Sequence, residues 1–140
     1  MELGVEVAEE ARQTVLTADP DRLGQVLTNL LDNAVRHTPA GGRVQLGAQR
    51  TGATLRLSVR DSGSGIAAEH LPHLFERFYR ADAARDRAHG GSGIGLAIVH
   101  SIVLAHGGTV TVASAGPGHG AVFTVELPVD AGHRPQPRSA

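Results

Sequence analysis

The chain contains no lysine and no cysteine. Without lysine there is no P-loop and no Schiff-base chemistry, because both need that side chain. Without cysteine there is no disulfide framework and no thiolate metal site, a composition that suits a reducing interior. Tryptophan is absent too, and three Phe and one Tyr are the only aromatics. The core must therefore be built from Leu, Val, Ile and Ala. The net charge is −1, so no broad cationic surface invites nucleic acid or an anionic membrane. No apolar run approaches the length of a membrane span, and the N-terminus lacks a signal-peptide pattern. What is present is 140 residues with 41% hydrophobic content, enough for one domain with a proper core. Eighteen residues are glycine, most of them after Ser62, and clustered glycine marks backbone in unusual conformations or close approaches.

The most informative stretch is Asp21–His37. Leu23, Val26, Leu27, Leu30, Leu31, Ala34 and Val35 recur at three- and four-residue steps, predicting a helix with one face on a core. Asp19 is placed to cap it, Pro20 fits the first helical position and Asp21 suits the positive end of the dipole. His37-Thr38-Pro39 and Gly41-Gly42 end it. Asn29, Asn33 and Arg36 fall on a second stripe of the same helix. Asn is a poor choice for a helix interior, so this stripe is either a solvated polar face or a set of amide oxygens and a guanidinium facing a metal–phosphate.

Before the helix, Leu3–Val7 and Gln13–Thr17 read as short strands. After it, Val44, Leu46 and Ala48, then Leu55, Leu57 and Val59, alternate with polar residues around Thr51-Gly52, predicting an antiparallel hairpin with one buried face. Glu69–Phe75 reads as a short helix and Phe75–Arg80 as a packed aromatic knot. Ala81–Gly90 has no apolar period and reads as a mobile surface segment. A second long helix, nearly apolar all round from Ile94 through Leu96, Ile98, Val99, Ile102, Val103 and Leu104, runs to about Ala105 and should be well buried. His106-Gly107-Gly108 ends it. Thr109–Ser114 and Ala121–Pro128 form a closing hairpin, and Val129–Ala140 reads as a disordered tail. Hairpins with helices grouped between them give an α+β two-layer sandwich rather than a wound parallel sheet.

Two glycine clusters carry candidate chemistry. Asp61, at a strand end before Gly63 and Gly65, is either an ordinary strand-ending turn residue or an acceptor for an exocyclic amine such as that of adenine. Guanine would oppose it acceptor to acceptor, at a cost of about 1–3 kcal/mol. Gly91, Gly93 and Gly95 precede a helix, where backbone N–H groups can cradle phosphate. The spacing is not the dinucleotide fingerprint and no strand precedes it, which excludes a Rossmann site. Arg80 and Arg85 lie upstream, either as surface residues or as partners of phosphate. His70 and His73 are the one His pair at helical spacing, and with no third ligand they read as a polar helix face.

Taken in order, these segments resemble the catalytic ATP-binding domain of bacterial sensor histidine kinases over about Leu3–Pro128. The N box is Asn29-Leu30-Leu31-Asp32-Asn33-Ala34. The first glycine box is Asp61-Ser62-Gly63-Ser64-Gly65-Ile66, the F box Phe75-Glu76-Arg77-Phe78-Tyr79-Arg80, and the second glycine box Gly91-Ser92-Gly93-Ile94-Gly95-Leu96. His106-Gly107-Gly108, Ser114 and Gly118-His119-Gly120 resemble the closing region. The resemblance implies a Bergerat-type two-layer α/β sandwich, a mixed sheet with helices on one face, residues 1–128 as the domain and 129–140 as a tail. It implies ATP with Mg²⁺ held by Asn33, with Asn29 beside it, and phosphate reached by Arg36, Arg80 and Arg85. Asp61 would take the adenine amine, His37, Gly63, Gly65, Ile66 and Phe78 would also bind the cofactor, and Phe75 and Phe78 would anchor the near end of a lid. Gly91, Ser92, Gly93, Ile94, Gly95 and Leu96 would wrap the phosphates, and Ala81–Gly90 would be a lid. In related gyrase-, mismatch-repair- and chaperone-type ATPases a Glu matches Asn29. An amide cannot act as a base, which favours transfer to another protein over hydrolysis. Ala121 stands where the family often has Thr or Ser. The acceptor-histidine motif is absent, so the resemblance implies a cytoplasmic piece of a longer, membrane-anchored kinase. Its partners would be an acceptor-histidine dimerisation domain and a response regulator, with neither nucleic acid nor direct membrane contact. The alternatives are an ATPase of the same superfamily or a non-catalytic nucleotide sensor.

Overall fold

The long helix begins as its cap predicts. In the computed structural model, which describes residues 1–16, 18–77, 79 and 95–129, the Asp19 carboxylate accepts from the N–H groups of Asp21 and Arg22 at 3.0 and 3.2 Å. Two donors that a helix start leaves without partners are thereby satisfied. The helix, α2, runs Pro20–His37 after a single turn, α1 (Glu9–Arg12). Val26, Leu30 and Ala34 are buried on its sheet-facing side, with Leu23 and Leu31 packed at the margins. Val35, expected in that face, is 46% exposed, because it sits at the edge of the apolar arc. At the far end the Thr38 hydroxyl donates to the Ala34 carbonyl at 2.7 Å.

β1 (Glu2–Val7), β2 (Arg43–Thr51), β3 (Thr54–Asp61), β4 (Thr109–Ala113) and β5 (Ala121–Pro128) form one sheet in the order β1-β2-β3-β5-β4. β1 and β2 are parallel and every other pair is antiparallel, the mixed sheet that the resemblance implied. The hairpin of β2 and β3 closes with Thr51 opposite Thr54. Alternation puts Val44, Val59, Phe123, Val125 and Leu127 on one face, where they are buried. α2 and α3 (Gly95–Ala105) pack on that face. The other face is polar, with an Arg56–Glu126 ion pair at 2.7 Å and Arg43–Glu2 at 3.0 Å. Among the described residues no helix is long and apolar enough to cross a membrane.

Several expectations are corrected. Gln13–Leu16 is not a strand. The Gln13 N–H is taken by the Glu9 carbonyl, the Thr14 N–H by Ala11 and the Thr14 hydroxyl by Glu10, so the local turn uses the groups a strand would need. Thr17 lies outside the described residues. The short helix expected over Glu69–Phe75 is a 3-10 helix over Ala68–His73, with Pro72 inside it. Leu104, expected to be buried, is 54% exposed; α3 buries Val99, Ile102 and Val103 only. Val129 is buried and its N–H donates to the Ala53 carbonyl at 2.7 Å. The rest of the expected tail, 130–140, and the expected mobile segment Ala81–Gly90 lie outside the described residues.

The cap and an open glycine on α2 give opposite predictions. Asp19→Ala lowers stability by about 1 kcal/mol, because its two N–H partners lose their acceptor. Gly24→Ala, where an added Cβ meets nothing within 4 Å, raises it by about 0.5–1 kcal/mol. Urea midpoints of the two variants, shifted in opposite directions, check both.

Candidate functional site

Asp61 is the last residue of β3. Register places it between Val44 and Ala121 on the helix-bearing face, where it is only 6% exposed. Its carboxylate accepts the Gly63 N–H at 2.8 Å. Burial pushes the Asp61 carboxyl above the ordinary carboxylate range; the Gly63 N–H, the nearby His37 and the Ala121 N–H pull it back only in part.

The turn after Asp61 is threaded between two other segments. The Ser64 N–H donates to the His37 carbonyl at 2.9 Å, at the end of α2. On the other side, the Gly118 N–H donates to the Ser64 carbonyl at 2.7 Å and the Gly120 N–H to the Gly63 carbonyl at 3.1 Å. Ser114 joins the two: its hydroxyl accepts from the Ile66 N–H at 3.0 Å and donates to the Gly120 carbonyl at 2.6 Å. A Cβ on Gly63 would lie 2.1 Å from the His37 carbonyl oxygen. Gly65 has φ +70°, and its Cβ would lie 2.1 Å from the Gly116 oxygen. These glycines are thus required by the chain's own backbone. From the sequence they were expected as cofactor-binding residues and Ser114 only as part of the closing region; its position before a glycine-rich turn was the available signal for its bonds.

α2 supplies the opposite wall. Asn33 is buried and Asn29 is half-buried, its amide nitrogen donating to the Gly95 carbonyl at 3.3 Å. The Arg36 Nε is buried and has no hydrogen-bond partner among the described residues. A solvated polar face would show neither feature. The Asn29–Asn33–Arg36 stripe therefore points into the molecule, on the same side of the sheet as Asp61. Ile66 and Leu96 pack against the core nearby. Phe78, Arg80, Arg85, Gly91, Ser92, Gly93 and Ile94 lie outside the described residues. Phe75, in the expected aromatic knot, stacks on His100 at 5.6 Å and meets Phe123 edge-on at 6.1 Å.

The donor set limits the metal. Among the described residues no three His, Cys, Asp or Glu side chains gather as a metal site. His70 instead bonds the Tyr79 hydroxyl, and His73 bonds Glu76 at 2.8 Å. Asn29 and Asn33 offer neutral amide oxygens. These suit Mg²⁺ that arrives with a phosphate to balance its charge, and not a free cation. The Arg36 Nε, which can only donate and has no partner among the described residues, suits the same phosphate. A groove on the polar sheet face, beside Gln45, Ser58 and Arg60, contains none of these residues.

Residues 18–131 match the family described as "Histidine kinase-, DNA gyrase B-, and HSP90-like ATPase". The chain is 47% identical over 112 residues to the signal transduction histidine-protein kinase BaeS of Escherichia coli (strain K12), covering 80% of this chain and 24% of that protein. Among solved structures it is similar to a mycobacterial sensor histidine kinase, MprB, at 34% identity and TM-score 0.76, over 91% of this chain and 81% of that one. It is also similar to full-length ShkA in complex with AMPPNP, at 37% identity and TM-score 0.75, over 91% of this chain and 25% of that one. The chain spans about a quarter of the length of the curated relatives it matches.

Two substitutions test the site's construction. Gly63→Ala drives a methyl into the His37 carbonyl and lowers stability by about 1–3 kcal/mol, read from denaturant midpoints. Asp61→Asn acts the other way. A carboxyl whose pKa is raised on folding favours the fold below its unfolded value and opposes it as pH climbs through the folded value. At neutral pH the buried Asp61 carboxyl is therefore a cost that Asn removes. The variant melts at or above wild type at neutral pH, and the gain fades in acid below the ordinary carboxylate range.

Proposed function

The chain belongs to the histidine kinase-, DNA gyrase B- and HSP90-like ATPase family, and from that membership we propose that it is the cytoplasmic ATP–Mg²⁺ catalytic domain of a sensor histidine kinase. It donates the γ-phosphoryl group to a histidine on a separate dimerisation domain, which then serves a response regulator. The observation that carries this reading is the shared side of the sheet. Asp61 and Asn33 are both buried on the helix-bearing face, and Arg36 carries a buried guanidinium nitrogen without a hydrogen-bond partner among the described residues.

In this reading Asp61 accepts the adenine amine, and guanine would leave it facing another acceptor, a loss of about 1–3 kcal/mol. Arg36 donates to a phosphate oxygen. Asn33 and Asn29 turn amide oxygens to Mg²⁺, which when bound neutralises phosphate charge. Asn29 keeps its amide nitrogen on Gly95, so its oxygen is the atom left for a metal. Arg80, Arg85 and the glycines from Gly91 to Gly95 complete the phosphate wall. Little covalent work falls to the protein in phosphoryl transfer, and placement with charge neutralisation does the rest. Asn29 itself cannot act as a base for water, which favours a protein acceptor over hydrolysis.

Titration calorimetry tests the nucleotide. Asp61→Asn weakens ATP at least about tenfold, or 1.4 kcal/mol, while unchanged affinity removes Asp61 from the site. Mg²⁺ alone gives no heat, and Mg²⁺ with ATP binds more tightly than ATP without it; Asn33→Ala abolishes that difference with the fold intact. With γ-labelled ATP, label moves to a separately supplied acceptor-histidine domain. Steady phosphate release by the isolated chain favours the ATPase alternative, and binding without transfer favours a sensor.

A further inference from the structure

His106 follows the last residue of α3 and makes two bonds with its ring. Its Nδ1 lies 2.9 Å from the Ile102 carbonyl, in its own helix. Its Nε2 lies 3.1 Å from the backbone N–H of Asp19, the residue that caps α2. A carbonyl only accepts and an N–H only donates, so the ring is the neutral tautomer with its proton on Nδ1. The imidazole thereby ties the end of one helix to the start of the other.

A second tie lies at the opposite end of the pair, where the Asn29 amide donates to the Gly95 carbonyl at 3.3 Å. From Asp19 to Asn29 is ten residues along α2, and from Gly95 to His106 eleven along α3. At 1.5 Å per residue these are spans of about 15 and 16 Å. The two ties are thus matched rungs of an antiparallel helix pair, and together they set its separation and register. The His106 end is firmly held. The Gly108 N–H donates to the Val103 carbonyl and the Gly107 N–H to Leu104, each at 3.0 Å, which closes the helix in a Schellman turn. A Cβ on Gly108 would lie 2.2 Å from the Glu126 carbonyl oxygen, so this end is also pressed against β5.

We propose that His106 is a positioning residue for the nucleotide site: by holding the α2 cap to the end of α3, it sets where Asn29 and Asn33 stand relative to Gly95. This rests on the nucleotide reading above for its consequence and on the two helix ties for its geometry. The rival role, a plain helix-ending residue, involves only the Nδ1 bond. Two variants separate them, because an Asn side chain reaches as far as Nδ1 and a Gln side chain as far as Nε2. His106→Gln keeps the tie to Asp19, and His106→Asn keeps only the bond within α3.

Both variants and wild type are compared in the full chain by amide NMR and by ATP–Mg²⁺ calorimetry. His106→Asn lowers ATP affinity about fivefold, the size of one net hydrogen bond. It also shifts the Asn29 side-chain and Gly95 backbone resonances and speeds exchange of the Asp19 N–H. His106→Gln stays within about twofold of wild type and leaves those resonances in place. Equal behaviour of the two variants, or an Asn variant matching wild type at Asn29 and Gly95, overturns the proposal. Should wild type bind no ATP, the nucleotide reading fails, and the Asn29 and Gly95 resonances still decide whether His106 sets the helix pair.

Discussion

The structure depends on one crossing of backbones. The turn from Asp61 to Gly65 passes between the last carbonyl of α2 and the loop joining β4 to β5, with contacts so close that a Cβ on Gly63 or Gly65 would approach a carbonyl oxygen to 2.1 Å. Three backbone hydrogen bonds and one serine hydroxyl fill the crossing. It locks the end of the central strand to the end of the long helix. Asp61 and the polar stripe of α2 are therefore held on one rigid frame, as a binding site requires.

That frame holds groups in states a stable core would avoid. A carboxylate is kept nearly dry with a raised pKa, and a guanidinium nitrogen is buried without a partner among the described residues. Each costs free energy. Side chains held in that way on one side of a sheet are what a ligand with a donor at one end and anionic oxygens at the other would relieve. An adenine nucleotide has both. The helix pair adds the second element of placement, since the ties at His106 and Asn29 hold α2 and α3 in register.

Much of this was legible in the amino-acid sequence, where local rules coincide with the global fold. Asp19-Pro20-Asp21 announces a helix start, and the alternation in Val44–Ala48 and Leu55–Val59 announces a hairpin with one buried face. The second stripe of α2 was visible as Asn29, Asn33 and Arg36, but whether it met water or protein depended on what lay across from it. Tertiary context also decided the misses. Val35 and Leu104 fit their helical periods yet stay exposed among the described residues, and Gln13 was captured by a preceding turn that a strand pattern cannot reveal. The glycines were recognised as special, but for a different reason. Their neighbours are His37 and Gly116, distant in sequence, and no spacing rule records a carbonyl brought in from elsewhere.

The central claim is that Asp61 and Asn33 face a single ligand. The most direct measurement is a titration of Mg²⁺–ATP into the isotope-labelled chain, following the Gly63 backbone amide beside Asp61 and the Asn33 side-chain amide together. The account predicts that both resonances shift along one binding curve with one dissociation constant. Shifts confined to one of them, or two curves with separate constants, would contradict it.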